Sequence, residues 1–356
     1  MTTEPTPTLM SQHTDSDTKP GKPQTEPVTP VNKTVTPAKR FIPIFDHSDK
    51  PNASRMPTYI RQALTEKTHY SSTSASVHNN KLVTVCEEAH CPNRNECWNR
   101  GTATFMLLGD TCTRACGFCA VKTGRPDAVD TSEPARIAQA VTEMGLDFVV
   151  LTSVNRDELP DGGAQIFADT LLALRQDDPS IGVEFLTPDF RACQDKAIEI
   201  ISEALVKAPF NRTHAAKSSD SKSSDSRRNE TKLIWGHNIE TVPSLYKEVR
   251  KGSQYERSLT MLRLIGELER VESKSSIILG LGETVEEVYQ VMLDLRANQV
   301  TRIALGQYLR PTKYHLPVKE YLALEQFSEY ETMAKELGFS WVKSGPMVRS
   351  SYHAED

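Results

Sequence analysis

The chain has 356 residues, which is enough for one large domain or two of ordinary size. Its formal net charge of −5 creates no overall positive field, so we expect no nucleic-acid partner. We find no apolar run of the roughly 18 residues that cross a bilayer, no secretory signal, and no Arg-rich presequence. We therefore expect a cytoplasmic protein without membrane contact, in a reducing compartment where disulfides are disfavoured.

Two segments contain too few apolar residues to form a core. Residues 1–50 are rich in Thr, Pro, Lys and Ser, which predicts a disordered tail. Residues 209–231 contain the near-repeat KSSD and no large apolar cluster. A structureless loop of this length is unusual inside a compact domain, so we interpret it as a low-complexity insertion into a finished fold.

Between these segments, short apolar runs alternate with helical periodicity. The predicted strands are 103–108, 147–152, 181–186, 232–236, 274–279 and 302–308. Helical faces contain Ile137 and Val141, then Ile166 and Leu174, then Val285 and Leu295 after the cap candidate Thr284. Six βα units in series predict an α/β fold with a parallel sheet, either doubly wound or curled into a barrel.

Six of the seven cysteines form two triplets. Cysteines this close together in sequence indicate disulfides, zinc sites or iron–sulfur clusters. The first triplet is Cys86, Cys91 and Cys97, and the second is Cys112, Cys116 and Cys119. The second triplet reads C-x3-C-x2-C and follows the first strand, where parallel α/β folds carry functional loops.

Zinc and iron–sulfur clusters make different demands on these triplets. Structural zinc usually has four closed ligands, so two zinc sites would need extra ligands such as His90 and His237. Three cysteines on a cubane leave one iron open to a small molecule, and the spacing of the second triplet favours this interpretation.

The seventh cysteine, Cys193, is interpreted as a small buried hydrophobe. We interpret Glu283 as an acid at a helix N-terminus, with a cofactor contact as the alternative role.

The second triplet, with the aromatic Phe118 before its last cysteine, resembles the radical S-adenosylmethionine (SAM) superfamily. The segments CEEAHCPNRNECW, GDTCTRACGFCAV, LTSVNRDELPDGGA, HNIETVPSLYKEVR, GLGET, GQYLRP and SGPMVRSSYHA together resemble the lipoyl synthase family. The resemblance covers about residues 50–356 in register, apart from 209–231. It departs from the family at Asn155 and Glu158, where the family typically has Asp.

This resemblance implies a partial (βα)6 TIM-like barrel of the radical SAM type, with extensions at both termini. The barrel would span 102–340, and an auxiliary cluster would lie between an N-terminal extension, 51–101, and a C-terminal segment, 341–356.

The resemblance implies two [4Fe–4S] clusters and SAM as cofactors. Cys112, Cys116 and Cys119 would hold the cluster whose open iron binds SAM. Cys86, Cys91, Cys97 and Ser351 would hold the auxiliary cluster. The SAM contacts would include Phe118, Ser153, Asn238, Glu240, Gly280 and Gly282. For Asn238 and Glu240, structural hydrogen bonding is the alternative role.

The implied reaction breaks unactivated C–H bonds, which needs a radical rather than an acid–base pair. The resemblance implies that a 5′-deoxyadenosyl radical removes hydrogen from C6 and C8 of a protein-bound octanoyl chain, and that the auxiliary cluster donates sulfur. The implied partners are octanoylated lipoyl-carrier proteins, a low-potential donor of the ferredoxin or flavodoxin type, and an iron–sulfur cluster carrier. The alternatives are a methylthiotransferase-like sulfur inserter and a zinc-stabilised binding module.

Overall fold

All six predicted strands are present in the computed structural model, which describes residues 56–65, 77, 82–88, 91, 93–100, 102–208 and 233–356. The strands are β1 (Thr104–Leu107), β2 (Thr111–Cys112), β3 (Lys122–Thr123), β4 (Phe148–Ser153), β5 (Gly182–Leu186), β6 (Leu233–Gly236), β7 (Val271–Leu279), β8 (Arg302–Gln307) and β9 (Trp341–Gly345). The predicted tail 1–50, the predicted insertion 209–231 and His90 lie outside the described residues.

The main sheet has the order β1-β4-β5-β6-β7-β8-β9 within the described residues, and every neighbouring pair is parallel. A doubly wound sheet reverses its strand order at a switch point, whereas this order advances in one direction. The sequence left both arrangements open, and the structure has the order of a partial barrel. The strand β9 is an addition to the six predicted strands.

The helices that alternate with the strands of the main sheet pack against it. They are α1 (Thr58–Thr65), α2 (Val85–Glu88), α3 (Arg94–Asn99), α4 (Glu133–Met144), α5 (Ala164–Asp177), α6 (Gln194–Lys207), α7 (Tyr246–Val249), α8 (Tyr255–Gly266), α9 (Val285–Ala297) and α10 (Leu324–Glu336). The three predicted helical faces are confirmed in α4, α5 and α9. Thr284 caps α9 as predicted, because its hydroxyl accepts from the Glu287 amide and the Glu287 carboxylate accepts from the Thr284 amide.

The apolar core is divided between the two halves of the sheet. One cluster joins β1, β4 and β5 to α4, α5 and α6, and it contains the edge-on aromatic pair Phe167 and Phe185. A second cluster joins β7 and β8 to α9 and α10. Because both faces of a parallel strand are covered, the strand residues are buried almost throughout.

Segments from both ends of the described chain pack against the sheet. Val83 accepts a hydrogen bond of 2.8 Å from the Met106 amide at the outer edge of β1. A Cβ on Gly306 of β8 would overlap the Val348 carbonyl oxygen, so the glycine lets the C-terminal segment lie against this strand, which is next to the edge strand β9. The Arg302 guanidinium donates 2.7 Å to the Asp356 backbone oxygen. No helix among the described residues is long and apolar enough to cross a membrane.

Candidate active site

The second cysteine triplet lies in a loop that backbone hydrogen bonds fix at both ends. Cys112 ends β2, and its carbonyl accepts from the Gly124 amide at 2.9 Å. In the middle of the loop, Gly117 donates to the Val249 carbonyl at 2.9 Å and accepts from the Leu316 amide at 3.0 Å. The loop follows β1 at the carboxyl end of the sheet, which is the place that its sequence position predicts.

The thiols of this loop are close enough to perturb one another. Burial raises the pKa of Cys116 to about 11, with a further increase from Cys112, while the Arg250 guanidinium acts in the opposite direction. Burial and the neighbouring Cys116 raise the pKa of Cys119 to about 12. These raised pKa values favour the protonated thiols. A coordinated metal reverses this preference, because a coordinating thiol loses its proton outright. The grouping of three enclosed thiols therefore fits a thiolate-bound cluster.

The first triplet forms a second group of thiols. Burial and the neighbouring Cys91 raise the pKa of the Cys86 thiol. Burial, Cys91 and Cys86 together raise the pKa of Cys97 to about 12. Burial also raises the pKa of Cys91, although Arg349 lowers it in part. The structure thus brings together three cysteines spread over twelve positions of the chain.

The C-terminal segment that contains Ser351 is attached to this first triplet. The Asn93 side-chain amide donates to the Met347 carbonyl at 2.6 Å, and the Tyr352 hydroxyl donates to Glu96 at 3.1 Å. Arg100 forms an ion pair with Glu355. Ser351 is half-buried, and its neighbour Arg349 interacts with Cys91. The predicted fourth ligand is therefore in the segment that meets the triplet, and ligation by its hydroxyl stays a prediction.

Neither triplet has the tight convergence of a single-ion site. In the described part of the chain, no three His, Cys, Asp or Glu side chains form a group that could hold one metal ion. His237, which the sequence offered as an extra zinc ligand, is buried with both ring nitrogens occupied. One contacts the Thr187 carbonyl at 2.9 Å and the other contacts the Ser258 hydroxyl at 3.0 Å. Both ring nitrogens therefore make structural hydrogen bonds, which argues against His237 as the extra ligand that the zinc alternative would need.

Polar groups without partners lie at the carboxyl ends of two strands. Within the described residues, the Ser153 hydroxyl at the end of β4 and the Asn238 side-chain oxygen beyond β6 are buried without a hydrogen-bond partner. Burial raises the pKa of the nearby Glu240 carboxyl, whereas Arg250 and Asn238 lower it in part. Most buried polar atoms in native proteins have a partner, and a bound ligand or water is one way to complete these two. Contacts of Ser153, Asn238 and Glu240 with SAM stay predictions.

The two predicted glycines in the loop after β7 have backbone angles that favour glycine over other residues. Gly280 has φ 96° and Gly282 has φ 112°, which side chains rarely adopt. A Cβ on Gly280 would also overlap the side-chain amide of Gln307 and the Glu320 carbonyl. Protein packing therefore already requires Gly280, and its contact with SAM stays a prediction.

Glu283 does not act as an acid within the first turn of α9. It precedes the cap Thr284, and its carboxylate accepts from the Gly280 and Leu281 amides. Glu283 thus lies at the N-terminus of α9, as expected, but its carboxylate binds the amides of the preceding glycine loop. Phe118 packs on an apolar cluster that includes Leu281 and Tyr308, so it shields the loop, and its contact with SAM stays a prediction.

An ion-pair network behind the cysteine loop is missing from the sequence expectations. Arg114, between the first two cysteines of the loop, pairs with Asp157 at 2.6 Å and with Asp189 at 2.6 Å. Asp189 is fully buried and also pairs with Arg257 of α8 at 2.7 Å. Burial alone would lower the pKa of Arg114, but both carboxylates raise it. The available signals were an arginine inside the cysteine loop and acids after strand ends.

Comparison with known proteins places this site in a family. A family model described as the radical SAM superfamily matches residues 106–213. A lipoyl synthase of Coxiella burnetii is 46% identical over 302 residues, which cover 85% of this chain and 88% of that protein. The chain belongs to the lipoyl synthase family. The family resemblance seen in the sequence is thereby confirmed.

Further lipoyl synthases give the same result. The protein of Methylobacillus flagellatus is 45% identical over 85% of this chain and 86% of its own length. That of Alcanivorax borkumensis is 44% identical over 89% of both chains. Among solved structures, Streptococcus suis SuiB bound to S-adenosylmethionine covers 80% of this chain and 59% of its own, with 13% identity and a TM-score of 0.48. Family membership makes the chain a sulfur-inserting radical SAM enzyme that uses SAM and a [4Fe–4S] cluster.

Proposed function

We propose that the chain replaces one hydrogen at C6 and one at C8 of a protein-bound octanoyl group with sulfur, which gives the lipoyl group. The observation that carries this proposal is the attachment of the Ser351 segment to the first triplet. A radical SAM enzyme that only cleaves SAM needs one triplet. Here the segment with the second group of three thiols is hydrogen-bonded to the segment that carries Ser351, which supports the proposal of an auxiliary cluster that serves as the sulfur source.

We assign the SAM site to the second triplet and the loops around it. Cys112, Cys116 and Cys119 would hold the [4Fe–4S] cluster, which, when bound, supplies the one-electron cleavage of SAM to a radical. Ser153 and Asn238 would bind polar groups of SAM through the oxygen atoms that lack protein partners. Further contacts are assigned to Phe118, Glu240, Gly280 and Gly282.

The first triplet would hold a cluster that is consumed as substrate. Cys86, Cys91 and Cys97 bind three irons in this proposal, and Ser351 binds the fourth. An alkoxide is a harder donor than a thiolate and is displaced more easily from iron, so it suits a cluster that must come apart. The hydrogen bonds from Asn93 to Met347 and from Tyr352 to Glu96 join the triplet segment to the ligand segment. Residues 51–101 and 341–356 would thus form one unit around the cluster, beside a barrel of 102–340.

The proposal also names partners and a compartment. Octanoylated lipoyl-carrier proteins supply the substrate, and a ferredoxin or flavodoxin supplies low-potential electrons. An iron–sulfur cluster carrier rebuilds the auxiliary cluster. All seven cysteines are free thiols, which supports a reducing compartment such as the cytoplasm.

Three variants test the assignment of the two triplets. Anaerobically purified protein would be reduced and mixed with SAM and an octanoyl-lysine peptide, and 5′-deoxyadenosine and lipoyl product would be measured. Cys112→Ala should abolish both products. Cys86→Ala and Ser351→Ala should retain 5′-deoxyadenosine and lose lipoyl product. Cys193→Ala is the matched control, because this cysteine lies at the N-terminus of α6 outside both triplets.

Metal analysis separates the proposal from its alternatives. The wild type should be brown and contain about eight irons per chain, and Cys86→Ala should contain about four. Lipoyl product from Cys86→Ala would refute the sulfur-donor assignment. Colourless protein with zinc would refute the radical chemistry and favour a binding module.

A further inference from the structure

Asn155 contacts a thiol of the second triplet through two N–H groups. Its backbone amide lies 3.3 Å from Cys112 Sγ, and its side-chain nitrogen lies 3.7 Å from the same sulfur. The Arg114 amide is a third donor at 3.4 Å. All three distances are within the range of N–H···S hydrogen bonds, so Cys112 is a well-hydrogen-bonded sulfur of the loop.

The position of Asn155 is fixed independently of this contact. Its carbonyl accepts from the Thr113 amide at 3.1 Å and from the Thr113 hydroxyl at 3.1 Å. The loop after β4 is therefore tied to the residue that follows Cys112. The short Asn155 side chain cannot swing far from the sulfur, so its terminal amide stays beside the ligand.

Hydrogen bonds to ligand sulfurs are among the factors that set the reduction potential of an iron–sulfur cluster. A donor stabilises the reduced cluster more than the oxidised cluster, because reduction adds negative charge that the sulfurs share. An aspartate at position 155 would replace the N–H donor with a carboxylate and add a negative charge nearby. Both changes oppose reduction.

We propose that the Asn155 side-chain amide raises the reduction potential of the cluster held by Cys112, and so increases the fraction that a weak donor can reduce. Asn155 is a positioning and tuning residue here, since it acts through Cys112. The inference rests on the proposed assignment of Cys112, Cys116 and Cys119 as cluster ligands.

Redox titration followed by electron paramagnetic resonance tests this inference on the full-length protein with both clusters. The signal that changes when SAM is added identifies the cluster with the open iron. At the wild-type midpoint potential, Asn155→Asp should lower the ratio of reduced to oxidised cluster about tenfold, which is 59 mV for one electron. Asn155→Ala should give a smaller decrease, because it removes the donor without adding charge.

Gln165→Glu is the matched control. It makes the same change from amide to carboxylate at an exposed position in the first turn of α5. Its midpoint should equal that of the wild type, which separates a local hydrogen bond from a change in net charge. Iron content and circular dichroism should match in all four proteins.

Each outcome decides a different claim. Equal midpoints in the wild type, Asn155→Asp and Asn155→Ala would refute the tuning role while leaving the cluster assignment intact. A shift in Gln165→Glu as large as that in Asn155→Asp would also refute it. If no reduced signal responds to SAM in the wild type, the ligand assignment fails and this inference fails with it.

Discussion

Replacement of Asp189 should destabilise the protein more than replacement of any single surface acid. This carboxylate is fully buried and pairs with Arg114 at 2.6 Å and Arg257 at 2.7 Å. Asp189→Asn keeps the shape of the side chain but removes its charge. The variant would leave the guanidinium of Arg114, whose side chain is only 3% exposed, with Asp157 as its remaining carboxylate.

The expected magnitude follows from burial. Breaking a buried ion pair by removing one partner costs about 3–5 kcal/mol, because the other charge stays buried without compensation. The Asp157 side chain pairs with the same arginine but is 23% exposed. Asp157→Asn is therefore the matched control, and about 1 kcal/mol is expected for it.

The pH of the assay matters because Asp189 titrates. Burial would raise its pKa, but hydrogen bonding and charge from Arg114 lower the pKa well below its usual range. A group whose pKa is lower in the folded state contributes stability above its unfolded pKa of about 3.9. This contribution is lost only as the pH falls below that value. The full effect is therefore present at neutral pH.

Urea unfolding of the metal-free protein measures the effect. With a slope of about 3 kcal/mol per molar, a loss of 3 kcal/mol moves the urea midpoint by about 1 M. Asp189→Asn should show this shift at pH 7.5, and Asp157→Asn should show about a third of it. If the two variants unfold at the same midpoint, the buried network does not stabilise the cysteine loop as argued.

Three further predictions concern buried groups and caps. Burial and Arg250 lower the pKa of His237 to about 4, so the folded state keeps this side chain neutral. A shift from 6.5 contributes about 3 kcal/mol to the free energy of unfolding. This contribution is present above pH 6.5 and is lost as the pH falls towards 4. His237→Gln should flatten this part of the stability profile, and an unchanged slope of urea midpoint against pH would contradict it. Gly280→Ala should reduce the stability of the fold by about 2 kcal/mol or more, and Gly282→Ala by about 1 kcal/mol. The difference arises because only the added methyl group at position 280 would overlap protein atoms. Equal melting temperatures of the two variants would contradict this prediction. Thr284→Ala should cost about 1 kcal/mol by removing the capping box, as measured by thermal unfolding, with Thr284→Ser as the control that keeps the hydroxyl.

The sequence predicted the elements that have local signals. The strands with continuous apolar runs and the helices with one apolar face were found because burial on both faces or on one face leaves a pattern. The strand Trp341–Gly345 was missed because it lies at the sheet edge, is only half-buried and contains Lys343 and Ser344. An edge strand with one partner does not need an apolar run.

Only those parts of the site whose residues lie close together in the sequence could be predicted. The two triplets were recognised because their cysteines are close in sequence. The ion pair of Arg114 and Asp189 joins residues that are 75 positions apart in the sequence. Nothing in the sequence around either residue indicates which residue it pairs with. Gly280 was assigned to a ligand contact, although the structure shows that Gln307 and Glu320 already require it. Long-range packing is the information that the sequence pattern lacks.

The two triplets differ in how their negative charge is balanced, and this difference fits their proposed roles. Arg250, beside Cys116, is buried in the barrel and held by the Tyr246 hydroxyl at 2.6 Å and the Asn238 carbonyl at 2.9 Å. Arg349, beside Cys91, belongs instead to the C-terminal segment that carries Ser351. A permanent cofactor needs a fixed counter-charge, whereas a consumed cluster changes its charge as sulfur leaves. In the proposed function, this segment would supply both the counter-charge and the displaceable ligand of the auxiliary cluster.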